Sequence, residues 1–337
     1  MERCVLALAS AMAQQRTVRI FAGRSHAGSR HTVRHLTDPR VEIVYGRIST
    51  MRRLASRSDH PTLVIVGIWT ASRARLCRTN PRNAIYWEHS LTLERLRTER
   101  LIHFRLRFAL PLLAKVHCVA PSVATALALG YSGIPDANVH VIENPWTRSR
   151  PTSNRTPAAN NEYEGLRLLF AGRLVDVKRP AMAIEALSYL PAHVVLHIAG
   201  DGPLRRRLQG LATQLGISSR VYFHGWLNDL SVLLRECDLL VSTSKSESFG
   251  LGLLDAAEAG LPIVAFGVGA VAEVVPHFAP GWIIPHESPR SIADTILWAE
   301  SRLNEPPGVD EARKLRGQLE STAISERWLT LLSILQC

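Results

Sequence analysis

The sequence predicts an α/β protein with two doubly wound, parallel-sheet domains. Short apolar runs typical of buried strands alternate with helical segments through both halves of the chain, and this alternation indicates parallel sheets covered by helices. The chain has 337 residues, which is long for one domain and suits two. Residues 146–164 are rich in Pro, Ser, Thr and Asn, the composition of an interdomain linker.

The linker sets the predicted domain boundaries. We expect a first domain over residues 1–145, a second over residues 165–320, and a C-terminal helix over residues 321–337 that packs back on the first domain. The predicted strands of the first domain are residues 17–22, 41–46, 62–67, 83–87 and 115–119. Those of the second domain are residues 166–171, 194–199, 221–224, 238–243, 262–266 and 282–284.

Positive charge is concentrated in the first half of the chain. Residues 1–150 hold 23 Lys and Arg against 9 Asp and Glu, whereas residues 151–337 hold 17 against 20, which together give the net charge of +11. A basic half suggests an anionic partner: nucleic acid, an acidic lipid or a phosphorylated substrate. Alternatively, the arginines only keep the domain soluble. Among these partners we expect no nucleic acid.

The cysteines and the N-terminus bear on the compartment. Five cysteines are scattered without metal-ligand or redox-pair spacing, which indicates a reducing environment. No run of about 18 apolar residues occurs. Residues 5–13 resemble the apolar core of a signal peptide but also fit one face of a helix, and we expect a first helix. The predicted location is therefore cytoplasmic, with peripheral attachment to the inner face of the plasma membrane as an option.

Residues 91–113 form the most basic predicted helix. Pro111 is expected to end or kink it. Its apolar residues recur near helical spacing, and arginines are interspersed among them. A basic amphipathic helix can lie on an anionic membrane surface, and the alternative is a core-facing helix with a solvated charged side. The density of arginine favours membrane contact.

A second-domain turn within residues 242–262 carries the first candidate site. It follows a predicted strand and precedes a helix of small residues that Gly260 and Pro262 would end. Glu247 lies in the turn, and its carboxylate suits hydroxyl groups better than phosphate. Asp255 lies about two turns into the helix and could reach a second hydroxylated group. Backbone amides would bind phosphate, as a nucleotide-sugar requires. The alternative is an ordinary strand–loop–helix unit.

Two further loops of the second domain follow predicted strands. Gly172 permits a tight exit into a loop from which Arg173 and Lys178 could neutralise a diphosphate. The alternative is two surface cations beside a helix start. Residues 200–202, Gly-Asp-Gly, are either a close backbone approach to a base or ribose or merely a turn.

Residues 267–272 resemble the dinucleotide fingerprint G-x-G-x-x-A. Glu287 follows Gly267 at the spacing of the ribose-binding acid. This pattern supports an alternative function as a dinucleotide-dependent oxidoreductase. It comes late in the second domain, however, whereas the fingerprint normally opens the first βαβ unit.

A polar cluster ends a predicted strand of the first domain. Residues 86–90 read Tyr-Trp-Glu-His-Ser. His89 could donate a hydrogen bond to a substrate hydroxyl or shuttle a proton, and the alternative is a structural histidine.

Taken in order, the second-domain motifs resemble those of the family 4 retaining nucleotide-sugar glycosyltransferases. The resemblance is best over residues 166–300. The series runs Phe-Ala-Gly-Arg-Leu with Lys178, Ile-Ala-Gly-Asp-Gly-Pro, Val-Tyr-Phe-His-Gly-Trp, Asp-Leu-Leu-Val-Ser-Thr-Ser, Glu-Ser-Phe-Gly-Leu-Gly-Leu-Leu-Asp and Gly-Leu-Pro-Ile-Val-Ala. It implies the GT-B fold of two Rossmann-like domains facing a cleft. It also implies transfer of a sugar from a nucleotide-diphosphate donor with retention of configuration, without a metal or other cofactor.

The resemblance implies roles for residues of both domains. Arg173 and Lys178 would hold the donor diphosphate, Glu247 would contact the donor sugar, and Asp255 would bind the ribose diol. His89 looks like the first-domain histidine that approaches the donor sugar. Further donor contacts would come from Gly172, Gly202, Ser248, Phe249, Gly250 and Leu251.

Two departures from the family pattern open alternatives. Asp255 stands where the family has a longer Glu, and residues 1–6 resemble the middle of the usual opening, so the first strand and its Gly-rich loop are expected to be absent. We expect a glycosyltransferase acting on a lipid-linked or cell-envelope glycan. The main alternative is a catalytically inactive nucleotide-sugar-binding or partner protein.

Overall fold

The computed structural model divides the chain into two compact units. It describes residues 2–15, 18–23, 39–46, 63–66, 84–89, 93–146, 165–227, 229–272, 281–303 and 317–336. The first unit comprises Met1–Thr147 together with Arg316–Cys337, and the second comprises Arg148–Leu315. Of the predicted linker, residues 147–164 lie outside the described residues.

Both units contain β-strands. Within the described ranges, the first unit contains β1 (Val18–Gly23), β2 (Val41–Gly46), β3 (Leu63–Val66), β4 (Ala84–Trp87), β5 (His117–Ala120) and β6 (Val139–Val141). The second unit contains β7 (Arg167–Ala171), β8 (Val195–Ala199), β9 (Val221–Gly225), β10 (Leu239–Ser242), β11 (Ile263–Phe266) and β12 (Gly281–Ile284). Each strand predicted from the sequence is present, with bounds that differ by at most two residues.

Helices connect most of these strands. They are α1 (Glu2–Met12), α2 (Leu93–Thr98), α3 (Arg100–Leu113), α4 (Val123–Tyr131), α5 (Pro180–Leu187), α6 (Arg205–Gln214), α7 (Ser231–Glu236), α8 (Leu251–Glu258), α9 (Pro289–Glu300) and α10 (Ser321–Gln336). No helix in the described part of the chain combines the length and apolar content needed to cross a lipid bilayer.

All pairs between neighbouring strands are parallel. In the second unit one sheet has the order β12-β11-β10-β7-β8-β9. In the described part of the first unit, β1 pairs with β2, and β3 to β6 form a separate four-stranded sheet. The sequence-based expectation that a strand and loop are missing from the first unit remains a prediction.

The core of the second unit explains why its strands read as continuous apolar runs. Leu169, Leu240 and Val264 on three adjacent strands are buried, and Ile184 of α5 and Ile296 of α9 are buried in the same cluster. Helices therefore cover the sheet, and a parallel sheet of this kind has little alternation between polar and apolar residues.

The C-terminal helix packs within the first unit. α10 contacts α1, and the Trp328 ring meets that of Trp87 at the end of β4 edge-on, with centroids 5.0 Å apart. The backbone N–H of Trp146 donates to the carbonyl of Leu319 at 2.8 Å. These contacts join the two ends of the chain to one core.

The prediction of one helix over residues 91–113 is wrong. Glu99, with an extended backbone (φ −109°, ψ 96°), separates α2 from α3, and Pro111 lies within α3 rather than ending it. The Glu99 carboxylate accepts two hydrogen bonds from the Arg95 guanidinium at 2.9 and 3.0 Å. The break falls at the extended backbone of Glu99, whose N–H still donates to the carbonyl of Arg95 at 2.9 Å. Residues 91 and 92 lie outside the described ranges.

The apolar residues of α3 also divide in a way that periodicity did not predict. Ile102, Leu106 and Ala109 are buried, whereas Leu101, Phe104 and Phe108 are 56%, 61% and 47% exposed. The helix therefore has an apolar inner face and a second set of apolar side chains that remains exposed.

Candidate active site

Three loops at one edge of the second-unit sheet carry the charged and glycine residues singled out in the sequence. We call residues 172–179, after β7, the lysine loop, residues 243–250, after β10, the glutamate loop, and residues 267–270, after β11, the glycine loop. Because β10 pairs in parallel with both β7 and β11, the three loops leave the same edge. Open α/β sheets bind ligands at this edge.

Lys178 and Glu247 form an ion pair between the first two loops. Nζ of Lys178 contacts Oε2 of Glu247, and the two side chains are only 24% and 18% exposed. Partial burial strengthens such an attraction and reduces its screening by salt. The structure thus brings together a cation and a carboxylate that are 69 residues apart in the chain.

Backbone groups hold the lysine and glutamate loops against each other. The N–H of Lys245 donates to the carbonyl of Val177 at 2.8 Å. The Thr243 hydroxyl lies 2.9 Å from the carbonyl oxygens of both Lys178 and Arg179. The ion pair therefore sits on two loops whose backbones are already fixed relative to each other.

The glycine loop supports the glutamate loop from the other side. The N–H of Ala270 donates to the carbonyl of Glu247 at 2.9 Å. Gly269 has a positive φ of 55°, and a Cβ at this position would lie 2.1 Å from the same carbonyl oxygen. Only glycine permits this approach, because even a methyl group would collide with backbone.

These contacts account for the residues that suggested a dinucleotide fingerprint. Gly269 is needed for packing against Glu247, and the carboxylate of Glu287 accepts a hydrogen bond from Nη1 of Arg179 at 2.7 Å. Residues 273–280 lie outside the described ranges. Neither Gly269 nor Glu287 is therefore evidence for a dinucleotide site.

The Gly-Asp-Gly turn packs against the lysine loop. Gly200 has a φ of 148°, and a Cβ there would lie 1.9 Å from the carbonyl oxygen of Gly172. A Cβ at Gly202 would lie 2.5 Å from the carbonyl oxygen of Leu174, whose N–H donates to the Asp201 carbonyl at 2.9 Å. The structure gives Gly200 and Gly202 a packing function, and donor binding by Gly202 stays a prediction.

The remaining second-unit candidates surround the start of α8. Gly250, with a φ of 80°, caps this helix, and Leu251 is its first residue. Ser248 is half-buried and Phe249 buried, Asp255 is half-buried within α8, and Arg173 is exposed in the lysine loop. The first amides of a helix lack intrahelical partners and carry partial positive charge, so this end of α8 suits an anionic group.

His89 lies in the first unit, just beyond the end of β4. It is 7% exposed, and its ring lies against Trp87 with centroids 4.2 Å apart. Its backbone N–H donates to Oε1 of Glu88 at 2.8 Å. Burial lowers the pKa of His89 to about 3. The imidazole is therefore neutral near pH 7, which favours hydrogen bonding over the proton-shuttle role that the sequence left open.

The sequence reasoning missed two residues that organise the site. Arg179 was given no function in the sequence analysis, yet it adopts a left-handed backbone with φ 48° and ψ 46°, which costs about 1–2 kcal/mol for a residue with a side chain. Thr243 is buried between the loops. The adjacency of Arg179 to Lys178 was the available signal for the first, and no local signal identified the second.

No metal site is evident in the part of the chain that the structure describes. Within it, no group of three or more His, Cys, Asp and Glu side chains is placed to hold an ion. The expectation of a metal-independent site stays a prediction.

Comparison with known protein families finds a match that lies in the second unit. The match covers the three loops and does not extend to His89. Residues 154–314 match the glycosyl transferases group 1 family. The match supports a resemblance to glycosyl transferases group 1 for this part of the chain, and the finer assignment to the retaining family 4 stays a prediction.

Curated relatives of the chain are consistent with this family match. An uncharacterised glycosyltransferase of Methanocaldococcus jannaschii is 38% identical over 141 residues, which is 40% of this chain and 35% of the relative. The lipopolysaccharide core biosynthesis glycosyltransferase LpsD of Rhizobium meliloti is 29% identical over 232 residues, 64% of this chain and 62% of the relative. The chain thus spans less than two thirds of either relative.

Similarity in fold to solved structures extends beyond residues 154–314. The crystal structure of Anabaena HepE in complex with UDP-glucose has a TM-score of 0.77 to this chain, with 21% identity, and the match covers 98% of this chain and 95% of HepE. The predicted fold class, α/β with two Rossmann-like domains of the GT-B type, is confirmed.

Gly269→Ala is expected to disrupt the glutamate loop. The added methyl group would meet the Glu247 carbonyl, and the positive φ adds strain, so we expect a loss of about 3 kcal/mol in the free energy of unfolding, measured by chemical denaturation. Gly210→Ala is the control, because Gly210 lies in α6 with nothing within 4 Å, and Ala there should add up to about 1 kcal/mol. Equal stability of Gly269→Ala and the wild type would contradict the packing function.

The buried His89 predicts acid sensitivity of the first unit. Because its folded-state pKa of about 3 lies below its unfolded value of about 6.5, the unfolded state binds more protons between these values, and stability falls as the pH falls. Between pH 6.5 and 5 the wild type should lose about 1.5 kcal/mol more than His89→Gln.

Urea unfolding at several pH values, followed by tryptophan fluorescence, measures this difference. His103→Gln is the matched control, since His103 is an exposed histidine of the same unit. If wild type and His89→Gln lost stability in parallel, His89 would not be the neutral buried group described above.

Proposed function

We propose that the protein is a glycosyltransferase that moves a sugar from a nucleotide-diphosphate donor to an acceptor, with retention of anomeric configuration. The observation that carries the proposal is the Lys178–Glu247 pair, set beside the first turn of α8 within the family match of residues 154–314. A cation, a carboxylate and unpaired helix amides are the groups that a diphosphate-linked sugar needs.

The donor diphosphate would be bound by cations and amides together. Lys178 and Arg173 project from the lysine loop, and Arg173 is exposed and can move to the phosphates. The first amides of α8 add partial positive charge. These groups would stabilise the charge that develops on the diphosphate as it leaves, the largest contribution that a protein makes to such a reaction.

The carboxylates would recognise hydroxyl groups. Glu247 pairs with Lys178, and donor binding would draw the ammonium towards phosphate and leave the carboxylate to accept hydrogen bonds from the sugar. Asp255 is half-buried about one turn after the start of α8. We propose that its carboxylate accepts hydrogen bonds from the ribose diol. Its shorter side chain requires a closer approach than the glutamate of the family pattern.

Retention would follow from attack on the face that the diphosphate leaves. The acceptor oxygen forms a bond to the anomeric carbon as the bond to the phosphate oxygen breaks, and the acceptor proton passes to that phosphate oxygen. Neutral His89 would donate a hydrogen bond to the donor sugar rather than a proton. No metal or separate base is required by this scheme.

A glycan or lipid-linked acceptor of the cell envelope is the proposed partner. The support is the relative LpsD, named for lipopolysaccharide core biosynthesis, together with the basic first half of the chain. The alternative is a protein that binds a nucleotide-sugar without turnover, suggested by Asp255 in place of the longer glutamate of the family pattern. The oxidoreductase alternative loses its support because the structure explains Gly269 and Glu287 otherwise.

Lys178→Ala and Glu247→Gln are expected to lower donor turnover. Lys178→Ala removes a cation that would stabilise the leaving diphosphate, and Glu247→Gln weakens an acceptor of hydrogen bonds from the donor sugar. We expect about a 100- to 1,000-fold loss in kcat for each. Release of nucleoside diphosphate is measured with a panel of donors that begins with UDP-glucose, and the anomeric configuration of the product is read by NMR. Arg206→Ala is the control, because Arg206 is an exposed cation of α6 in the same unit.

Calorimetry with UDP separates binding from catalysis. UDP binding by a wild-type protein that turns over no donor would favour the inactive binding protein. An inverted product would refute retention alone, and full activity of both variants would refute the assigned site.

We also propose that α3 attaches the protein to an anionic membrane on the cytoplasmic side. Phe104 and Phe108 are exposed and pack edge-to-face, with ring centroids 4.8 Å apart, beside exposed Leu101. Arg100 and Arg107 are exposed on the same helix. Aromatic side chains with flanking arginines suit the interface of an acidic bilayer.

Flotation with vesicles that contain an anionic phospholipid tests this surface. At about 1 kcal/mol per arginine near such a surface, Arg100→Ala/Arg107→Ala should weaken binding by roughly 30-fold, and Phe104→Ser/Phe108→Ser should weaken it on neutral and anionic vesicles alike. The control is Leu127→Ser/Tyr131→Ser, an exposed apolar pair on α4 of the same unit. Binding that does not depend on anionic lipid, or that survives both α3 variants, would contradict the proposal.

A further inference from the structure

Arg179 holds a backbone conformation that arginine rarely adopts. Its φ of 48° and ψ of 46° lie in the left-handed region, where a side chain crowds the backbone and glycine is favoured. Among the described residues other than glycine, it is the one with a positive φ. Arg179 separates Lys178 from Pro180, the first residue of α5. Such a conformation persists where the surrounding contacts stabilise it.

The guanidinium of Arg179 supplies those contacts from three directions. Nε donates to the carbonyl of Thr243 at 2.8 Å, and Nη2 donates to the carbonyl of Ser244 at 3.2 Å. Nη1 donates to the Glu287 carboxylate at 2.7 Å, and the group lies over the ring of Phe266, 4.7 Å from its centroid. One planar cation thus joins the start of the glutamate loop, the end of β11 and the loop after β12.

The lysine and glutamate loops donate hydrogen bonds to each other in both directions. The Arg179 side chain donates to the Thr243 and Ser244 carbonyls, while the Thr243 hydroxyl lies 2.9 Å from the carbonyls of Lys178 and Arg179. Each loop therefore satisfies backbone acceptors of the other. These contacts fix the backbone of Lys178. Its long, flexible side chain therefore starts from a defined position when it reaches Glu247.

We propose that Arg179 is a positioning residue that sets the distance between Lys178 and Glu247. It acts through the two loops and does not bind the donor, since its side chain is only 16% exposed and its donors already serve the Thr243 and Ser244 carbonyls and Glu287. The left-handed conformation aims the guanidinium at the glutamate loop while the chain turns into α5. The catalytic consequence of this inference rests on the proposed function.

Arg179→Gly is the decisive variant, because it relieves the backbone conformation while removing the bridge. We expect donor kcat/KM to fall by about 100-fold, with kcat lowered and KM raised, since a displacement of about 1 Å has consequences of that size. Arg179→Lys retains the charge but not the planar fork, so it should recover part of the loss. Glu287→Gln should change kcat/KM less than threefold, because Glu287 is 57% exposed.

Arg220→Ala is the matched control. Arg220 bridges backbone carbonyls in the same unit away from the three loops, with Nη1 donating to Pro191 at 2.6 Å and Nη2 donating to Leu187 at 2.7 Å. Its loss should lower thermal stability and leave kcat and KM of the folded enzyme unchanged. If the function of Arg179 were purely structural, Arg179→Gly would likewise lower thermal stability and leave kcat and KM unchanged.

Hydrogen exchange of the loop amides gives a readout that does not require turnover. The amides of Lys245 and Ala270, bonded to the carbonyls of Val177 and Glu247, should exchange at least tenfold faster in Arg179→Gly and at the wild-type rate in Arg220→Ala. Unchanged exchange, or a kcat/KM within threefold of the wild type in an active enzyme, overturns the inference. If the wild type turns over no donor, the proposed function fails, and faster exchange in Arg179→Gly alone still supports positioning of the loops.

Discussion

The parallel pairing of β10 between β7 and β11 is the constraint on which the candidate site depends. Leu239 lies opposite Leu168, and Leu240 lies opposite Ile263. A slip of one residue would move a strand by about 3.3 Å and turn its side chains to the other face of the sheet. The contacts of 2.8 and 2.9 Å between the loops could not survive such a slip. The register of the buried apolar strands therefore fixes the positions of the polar groups in the three loops.

The loops at this edge approach more closely than ordinary side chains permit. Gly200 packs on the Gly172 carbonyl, and Gly269 packs on the Glu247 carbonyl. Arg179 takes the left-handed conformation that glycine would adopt more easily, and its side chain returns hydrogen bonds to the neighbouring loop. Close packing of this kind leaves the loops little freedom, and charged groups held in place before a ligand arrives stabilise a transition state without reorganisation.

In the first unit, burial is the main cause of the shifted pKa values of His89 and Tyr86. His89 is neutral because it is enclosed beside Trp87, and the pKa of Tyr86 is raised well above its usual value by burial and by the neighbouring Glu88. Trp328 of α10 meets the same Trp87 ring. The environment of His89 thus includes a residue near the opposite end of the chain, which local sequence around residue 89 does not reveal.

Much of the fold could be predicted from the sequence because apolar runs report burial directly. The strands of the second unit were located in this way, and the order of the motifs after them indicated the family of residues 154–314. Lys178 and Glu247 could be assigned to one site because both follow strands of one parallel sheet, whereas the ion pair between them was not predicted. The break at Glu99 and the strand β6 were not predicted, since apolar periodicity does not report a single extended residue and β6 depends on pairing with β5.

The sequence by itself determined which elements form and which charged residues reach the edge of the sheet, because periodicity and chain order are local properties. Only the tertiary structure decided how these residues are held. Gly269 belongs to packing rather than to a dinucleotide fingerprint, and Arg179 bridges loops as well as preceding a helix. Both functions arise from backbone groups more than 20 residues away, and contacts of that kind leave no periodic trace in the chain.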